Sequence, residues 1–333
     1  MLHPQTYNVI LGSTARKQAA IIYNPIARGV SRHRHLLQRT IATLREQGIE
    51  AQLVPTDGPG TAGAQAGRQI AAGCELIIAA GGDGTINEVA NGMVYTGVPL
   101  AILPGGTANV LAREMRLPIH LDRAASRIAA MHPHRVAVGG IRLPGSDRRC
   151  FLCMAGAGLD AAIVSRLNSK FKARAGKLAY YATGFSQVFQ PLREFEVTID
   201  GQAYQTSFAL ISRVRNYGGD LEIARGASLL RDDFEIVLFR GTLSLRYLAY
   251  LLGVVAGRVH RMNGCTVLRG RKVFCPAEDG IFVQVDGELA GRLPITTEIL
   301  PEALTMLLPP KYIERELSRA ATRTYEFSAN DQA

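Results

Sequence analysis

"GGDGTINEVANG", residues 81–92, follows directly on the apolar run "ELIIAA" (75–80). A run of that length, bounded by turn formers, reads as a short buried strand. Glycines at positions 81, 82 and 84 surround a single aspartate, Asp83, and a helix-like run begins at Ile86. Glycine lets a backbone come close to a ligand, and a row of N–H groups opening a helix is a ready anion site. Strand, glycine loop and helix in this order predict a phosphate-binding turn. Asp83 needs its own reason: it anchors a cation that bridges phosphate oxygens, or it caps the helix that follows.

The same design recurs on either side. "LPGGTANVLARE" (103–114) runs from a strand through Gly105, Gly106 and Thr107 into a helix, and "YNPIARG" (23–29) closes the first strand in the same manner. No G-x-x-x-x-G-K-[ST] occurs in the chain, so the turn is not a Walker A loop, although it uses the same amide physics. Two such loops at neighbouring strand ends could hold a di- or triphosphate between them. The intervening sequence alternates in period. "AAIIYNP" (19–25) reads as a strand; a helix capped by Ser31 carries Leu37, Ile41 and Leu44 at helical spacing and ends at Gly48. "IEAQLVPT" (49–56), "GTAGAQAGRQIAAG" (60–73), "PLAILP" (99–104) and a helix from about Thr107 continue the strand–helix pattern. Such alternation predicts a parallel sheet covered on both faces, with ligands gathered at the carboxyl ends of its strands.

From His134 the pattern turns to β. "RVAVGGIRL", "REFEVTIDGQAY", "SFALISRV", "DDFEIVLFRG", "CTVLRGRKVFC" and "GIFVQVDGEL" are short β-rich runs, punctuated by Asp200-Gly201 and Asp286-Gly287 turns. They predict an antiparallel sandwich or open barrel with helices inserted over 177–189 and 243–256. The chain then divides into an α/β domain (1–133), a β domain (134–310) and a polar tail (311–333) expected as an exposed helix with a frayed end.

Bulk properties narrow the function classes. A chain of 333 residues favours two domains over one core. Hydrophobic content of 47% with 20% charged residues fits a globular enzyme and argues against extended disorder. The net charge of +10, carried mainly by arginine, favours anionic partners. Nucleic acid is disfavoured: the charge is diffuse, tryptophan is absent and no recognition motif occurs. The cysteines at 74, 150, 153, 265 and 275 are odd in number and scattered, which points to a reducing cytoplasm rather than a disulfide framework. Cys150 and Cys153 sit in an apolar strand-like run without a second pair, so they read as small buried hydrophobes. No signal peptide is expected at the start. The longest apolar run, "YLAYLLGVVAG" (247–257), is about half a membrane span. "GAGLDA" (156–161) mimics a dinucleotide fingerprint but lies in β-rich surroundings without the acidic partner. "SKFKARAGK" (169–177) is a basic run, either a solvated face or an attractor of anionic headgroups.

Taken together, "NPIARG", "GGDGTINEVANG" and "LPGGTANVLARE" resemble, in order and spacing, the catalytic-domain signature of the diacylglycerol kinase and sphingosine kinase superfamily, the bacterial soluble lipid kinases above all. The resemblance continues through "FLCMAGAGLDA" (151–161), "GKLAYYATG" (176–184), "RNYGGDLEIARGASLLRDDFEIVLF" (215–239) and "VDGELAG" with "ILPEALTMLLP" (285–309). "GGDGT" alone also occurs in NAD kinases and phosphofructokinases; the continuation "INEVANG" points to lipid kinases.

The resemblance implies an ATP–NAD kinase-like α/β nucleotide domain and a C-terminal antiparallel β-sandwich domain, with ATP and Mg²⁺ in the cleft between them. By position it places Asn24, Pro25, Thr56, Gly82, Asp83, Gly84, Thr85, Asn87, Glu88, Gly106 and Thr107 on the nucleotide. "VDGEL" (285–289) matches the family's D-G-E element. On the residues alone it is equally a plain Asp-Gly hairpin. The resemblance makes Glu288 the expected base for a lipid hydroxyl, with Asp286 in support and Asp83 as the third catalytic candidate. "LLRDDFEI" (229–236) matches a stretch that holds a structural Mg²⁺ in bacterial relatives, here through the carbonyls of Leu229 and Phe234 and the Asp232 carboxylate. Asp233 replaces the usual glycine there. Two further departures are Val110 and Ala137, where relatives commonly carry aspartates near the magnesium. The expected activity is transfer of the γ-phosphoryl group of ATP to a diacylglycerol-like or related lipid hydroxyl, by a cytoplasmic protein meeting its substrate at the inner membrane face. Homodimerisation is left open. The alternatives are an NAD-kinase-like enzyme and a weakly active, lipid-sensing regulatory protein of the same fold.

Overall fold

The computed structural model describes residues 16–27, 34–158, 193–218, 221–242 and 244–330. Strand β3 (Leu76–Gly81) is buried along its whole length, as a continuous apolar run between two helical layers must be. It pairs in parallel with β1 (Lys17–Tyr23) and β4 (Leu100–Pro104), while β2 (Ile49–Pro55) pairs in parallel with β1 from outside. Helices α1 (Arg34–Glu46), α2 (Ala62–Ala71), α3 (Asp83–Asn91), α4 (Val110–Glu114) and α5 (Leu121–Ala125) complete the α/β half. Leu37 and Leu44 of α1 are buried at the expected helical spacing. Because these strands are parallel, the loops after β1, β3 and β4 leave from the same edge of the sheet.

The remaining strands are β5 (His132–Arg142), β6 (Arg149–Phe151), β7 (Met154–Gly158), β8 (Phe195–Ile199), β9 (Gln202–Thr206) and β10 (Phe208–Ser212). After them come β11 (Asn216–Tyr217), β12 (Leu221–Glu222), β13 (Phe234–Phe239), helix α6 (Ser244–Val255), β14 (Cys265–Gly270), β15 (Lys272–Cys275), β16 (Phe282–Val285), β17 (Glu288–Arg292), β18 (Ile295–Leu308) and helix α7 (Pro310–Asn330). One antiparallel sheet runs in the order β14-β13-β10-β7-β16-β17. It faces β5, β6, β8, β15 and β18 across an apolar core that includes Ile141, Phe151, Phe195, Val197, Phe234, Ile236 and Val273. This is the sandwich expected from the alternating strands.

The long strand β18 was not among the expected elements. It pairs in parallel with β4 at Met306 and antiparallel with β5 along most of its length, with an irregularity between Leu300 and Leu304. Pro301 and Glu302, the latter with φ 49°, break its pattern and hide the strand. Through β18 a single ten-stranded sheet, among the described residues, runs from the nucleotide half into the sandwich.

The exposed-tail reading of 311–333 needs correction at its start. Tyr312 and Glu316 of α7 are buried, and the Tyr312 hydroxyl accepts the Leu229 N–H at 3.0 Å. Arg215 donates to Glu114 at 2.9 Å and to Glu316, and Arg315 donates to Glu316 at 3.0 Å. Buried charges are tolerated only when paired in this way. The network fixes α7 and the sandwich against Glu114, the last residue of α4. The Ser31 cap, the helix at 177–189, the basic run 169–177, the "GKLAYYATG" stretch and the end of "GAGLDA" lie outside the described residues. No helix among the described residues is long and apolar enough to cross a membrane.

Candidate active site

The two glycine loops meet backbone to backbone. The Gly105 N–H donates to the Gly81 carbonyl at 2.7 Å, and a Cβ on Gly106 would lie 2.5 Å from the Gly82 Cα. Only glycine permits that approach. Asn109, held at φ 48°, locks the second loop by accepting the Gly106 N–H at 2.8 Å and donating to its carbonyl at 3.0 Å. Gly82 is extended at the start of α3 and offers no side-chain cap. The first N–H groups of α3 therefore present an anion site at a helix N-terminus, where the dipole favours phosphate.

Asp83 occupies the first turn of α3, yet it does not cap that helix. Its Oδ1 accepts the Val110 N–H of α4 at 2.7 Å, which ties the two loops together. Burial raises its pKa, opposed by the N–H groups of Val110, Leu111 and Asn109. The cap expected from sequence exists, but it serves the next helix.

The D-G-E turn reaches this place from the sandwich. Asp286 and Gly287, with φ of 48° and 82°, form the tight connection from β16 to β17. The Asp286 carboxylate accepts the N–H groups of Leu152 (3.0 Å), Cys153 (2.9 Å) and Met154 (2.9 Å), and the Asn87 amide at 2.7 Å. Burial pushes its pKa up to about 6, the backbone donors pull it down, and the nearby Asp83 charge adds to the rise. Glu288 lies beyond the turn with its side chain half exposed. A Cβ on Gly84 would meet Glu288 Oε1 at 2.6 Å, so this carboxylate rests directly on the first glycine loop. Its Oε2 accepts from Arg149 at 3.1 Å.

Asn87 and Asn91, one helical turn apart on α3, face the sandwich together. Both donate to the Cys150 carbonyl, at 3.0 and 2.9 Å, and Asn87 Oδ1 accepts from Arg149 at 3.3 Å. Asn87, expected on the nucleotide, is buried in this junction instead. Glu88 is also redirected: its carboxylate accepts the N–H groups of Gly60 (2.9 Å) and Ala62 (3.2 Å), anchoring the start of α2. Thr85 is buried and stacked over Gly81. Asn24 accepts the Ile26 N–H at 3.0 Å and so shapes its own turn, with Pro25 beside it and the Thr56 N–H donating to the Tyr23 carbonyl at 2.9 Å. Thr107 stands exposed on the second loop. Arg149 and Asn109 were missed from sequence. Asn109 lay in plain sight within "GGTAN", whereas nothing local marks Arg149.

The Leu229, Asp232 and Phe234 set does not assemble as a metal site. The Leu229 carbonyl accepts from Arg213 at 3.1 Å, Asp232 is exposed, and Phe234 opens strand β13 in register with Gly270. Cys150 and Cys153 are buried, with burial raising both thiol pKa values, in keeping with packing roles.

Both halves of the chain match known families. Residues 18–141 match the diacylglycerol kinase catalytic domain, and residues 153–308 match the YegS C-terminal NAD kinase beta sandwich-like domain. The chain is 26% identical over 308 residues to a diacylglycerol kinase of Staphylococcus carnosus, covering 91% of this chain and 98% of that one. It is 27% identical over 316 residues to one from Staphylococcus epidermidis, covering 93% and 98%. A crystal structure of a diacylglycerol kinase from Bacillus anthracis superposes with TM-score 0.72 at 24% identity, covering 90% of this chain and 99% of that one, and shows the shared fold. With both halves matched and two glycine loops facing a D-G-E turn, the chain belongs to the diacylglycerol kinase and sphingosine kinase superfamily, a family of lipid kinases.

Proposed function

We propose that this protein transfers the γ-phosphoryl group of ATP to a hydroxyl of diacylglycerol or a related lipid, with Mg²⁺, working at the inner face of the membrane from the cytoplasm. The observation that carries the reading is Glu288: a carboxylate from the sandwich rests on Gly84 of the phosphate loop. A lipid hydroxyl entering between the halves would meet base and phosphate at one point, and phosphoryl transfer depends on such positioning. In this reading the N–H groups at the start of α3 and Thr107 bind the phosphates, and Asn24, Pro25 and Thr56 border the nucleotide. Glu288 takes the hydroxyl proton, while Asp286 holds the turn that aims it. Asp83 and Asp286 are neighbouring carboxylates whose charges oppose each other, and hard oxygen donors of this kind suit Mg²⁺. Asp83 would hold the ion together with phosphate oxygens, and the ion would supply charge neutralisation there.

The test is incubation with [γ-³²P]ATP and a panel of diacylglycerol, long-chain amino alcohols, a total lipid extract and NAD, with products identified by mass spectrometry. Label in a lipid product is expected. Label in NAD identifies an NAD-kinase-like enzyme. ATP binding without labelled product favours a regulatory protein, the reading that Val110 and Ala137 keep alive by leaving two carboxylates out of the site.

The pH dependence follows from Asp286. Burial pushes its pKa up to about 6, while its four hydrogen-bond donors favour the ionised acceptor. Since the folded value lies above the unfolded one, burial favours the protonated form: its stabilising contribution is complete below about 4 and lost as pH rises through the folded value. Turnover has the opposite sign in this reading, because it uses the ionised carboxylate that accepts all four donors and aims Glu288, and protonation replaces one acceptor site with an O–H. The kcat profile should fall on the acid side with a midpoint near 6. A flat profile from about pH 5 to 7 rules out the need for an ionised Asp286.

A further inference from the structure

The loop from Leu229 to Asp233 turns its carbonyl oxygens onto one buried point. Arg213, which follows β10 and is fully buried, fills it. Its Nη1 donates to the carbonyls of Arg231 (2.6 Å) and Asp233 (2.7 Å), and its Nη2 to those of Leu229 (3.1 Å) and Ala137 (3.0 Å). Four carbonyl dipoles converging on one point form an electronegative cage that favours a cation with several donors, which a guanidinium supplies. The family resemblance implies a divalent ion at this loop, held in part by the Leu229 carbonyl. The residues present do not fit it: that carbonyl already serves the guanidinium, and a divalent ion beside Arg213 would set like charges within contact distance. The carboxylate next in line, Asp233, is clamped by Arg231 at 2.6 Å and by Arg269 at 3.0 Å. Ala137, which contributes a carbonyl to the cage, stands where relatives commonly carry an aspartate.

We propose that the Arg213 guanidinium is the built-in cation of this loop, so that the order of residues 229–234 does not depend on a divalent metal. Burial lowers the Arg213 pKa to about 10, which leaves the group charged at neutral pH. The proposal is independent of the kinase activity, since the loop can be followed without nucleotide or lipid.

The experiment uses full-length protein, free of nucleotide and dialysed against EDTA. Metal content and thermal unfolding are measured in EDTA, MgCl₂ and CaCl₂. A chain that carries its own cation should retain no stoichiometric divalent ion, and its Tm should move by less than roughly 1 °C among the three conditions. One tightly held ion per chain, or a Tm that collapses in EDTA, overturns the proposal, and this arm needs no variant. In a second arm, Arg213→Ala empties the cage. Its Tm should fall by several degrees or more and recover in part with methylguanidinium or a divalent ion, because either can refill the carbonyls. A folded Arg213→Ala protein whose loss no cation recovers also overturns the assignment.

Discussion

Glu288→Gln should lower kcat by about 10² or more while leaving ATP affinity within about twofold of wild type. A lipid alcohol is a weak nucleophile at neutral pH, and a carboxylate that accepts its proton as the new P–O bond forms is worth about 10² to 10⁴ in rate. In the proposed function, Glu288 is the carboxylate that takes this proton. It projects from the sandwich, stays half exposed, and rests on Gly84 of the first glycine loop. Asp286 is placed differently: three backbone N–H groups and the Asn87 amide already occupy it. Glutamine keeps the shape of Glu288 and one acceptor for Arg149 but cannot take a proton. The loss should therefore appear in kcat, with nucleotide binding by calorimetry and Tm nearly unchanged. Asp286→Asn should behave otherwise. It sets an amide N–H₂ against N–H donors, leaves buried groups unsatisfied and lowers Tm together with kcat. If instead Asp286→Asn abolishes turnover at unchanged Tm while Glu288→Gln retains most of its kcat, the base is Asp286.

That contrast marks where sequence stops being informative. "ELIIAA" and "PLAILP" are unbroken apolar runs followed by glycines, so strands, parallel sheet and glycine loops were all legible from local pattern. The Asp-Gly turn at 286–287 was legible for the same reason, since few residues accept positive φ twice in succession. What Asp286 does was not legible. Its donors sit on a segment more than a hundred positions earlier in the chain, and no periodicity encodes such a contact. Glu88 and Asn87 share a helix and looked alike as polar neighbours of a phosphate loop. The fold turns one toward the α2 backbone and buries the other between the halves. Nothing local in "SFALISRV" marks Arg213, and only the tertiary fold surrounds it with carbonyls. β18 was hidden because a proline inside an apolar run signals a break, while the fold absorbs it as an irregularity in a strand that joins both halves.

Asp83→Asn should separate the structural task of this side chain from the metal-anchoring task that the proposed function gives it. The structural task is modest: Oδ1 accepts the Val110 N–H and ties the loops after β3 and β4. Asparagine retains a carbonyl oxygen for that bond, so the fold and Tm should survive; Asp83→Ala loses the cap and should cost about 1 kcal/mol of stability. The chemical task depends on charge. Asparagine cannot neutralise a divalent ion beside a triphosphate, and losing a metal-anchored interaction removes several kcal/mol of transition-state stabilisation. Asp83→Asn should therefore lower kcat by about 10² or more and raise the Mg²⁺ concentration needed for half-maximal rate. A second consequence follows from its neighbour. The Asp83 charge helps to lift the pKa of Asp286, so neutralising it should move the acid limb of the residual activity below the wild-type midpoint. The measurements are steady-state rates against Mg²⁺ and pH on one competent lipid, with Tm as the control for folding. Activity within about threefold of wild type at the same Mg²⁺ dependence would leave Asp83 as a cap alone, because a metal anchor cannot be neutralised at so small a cost.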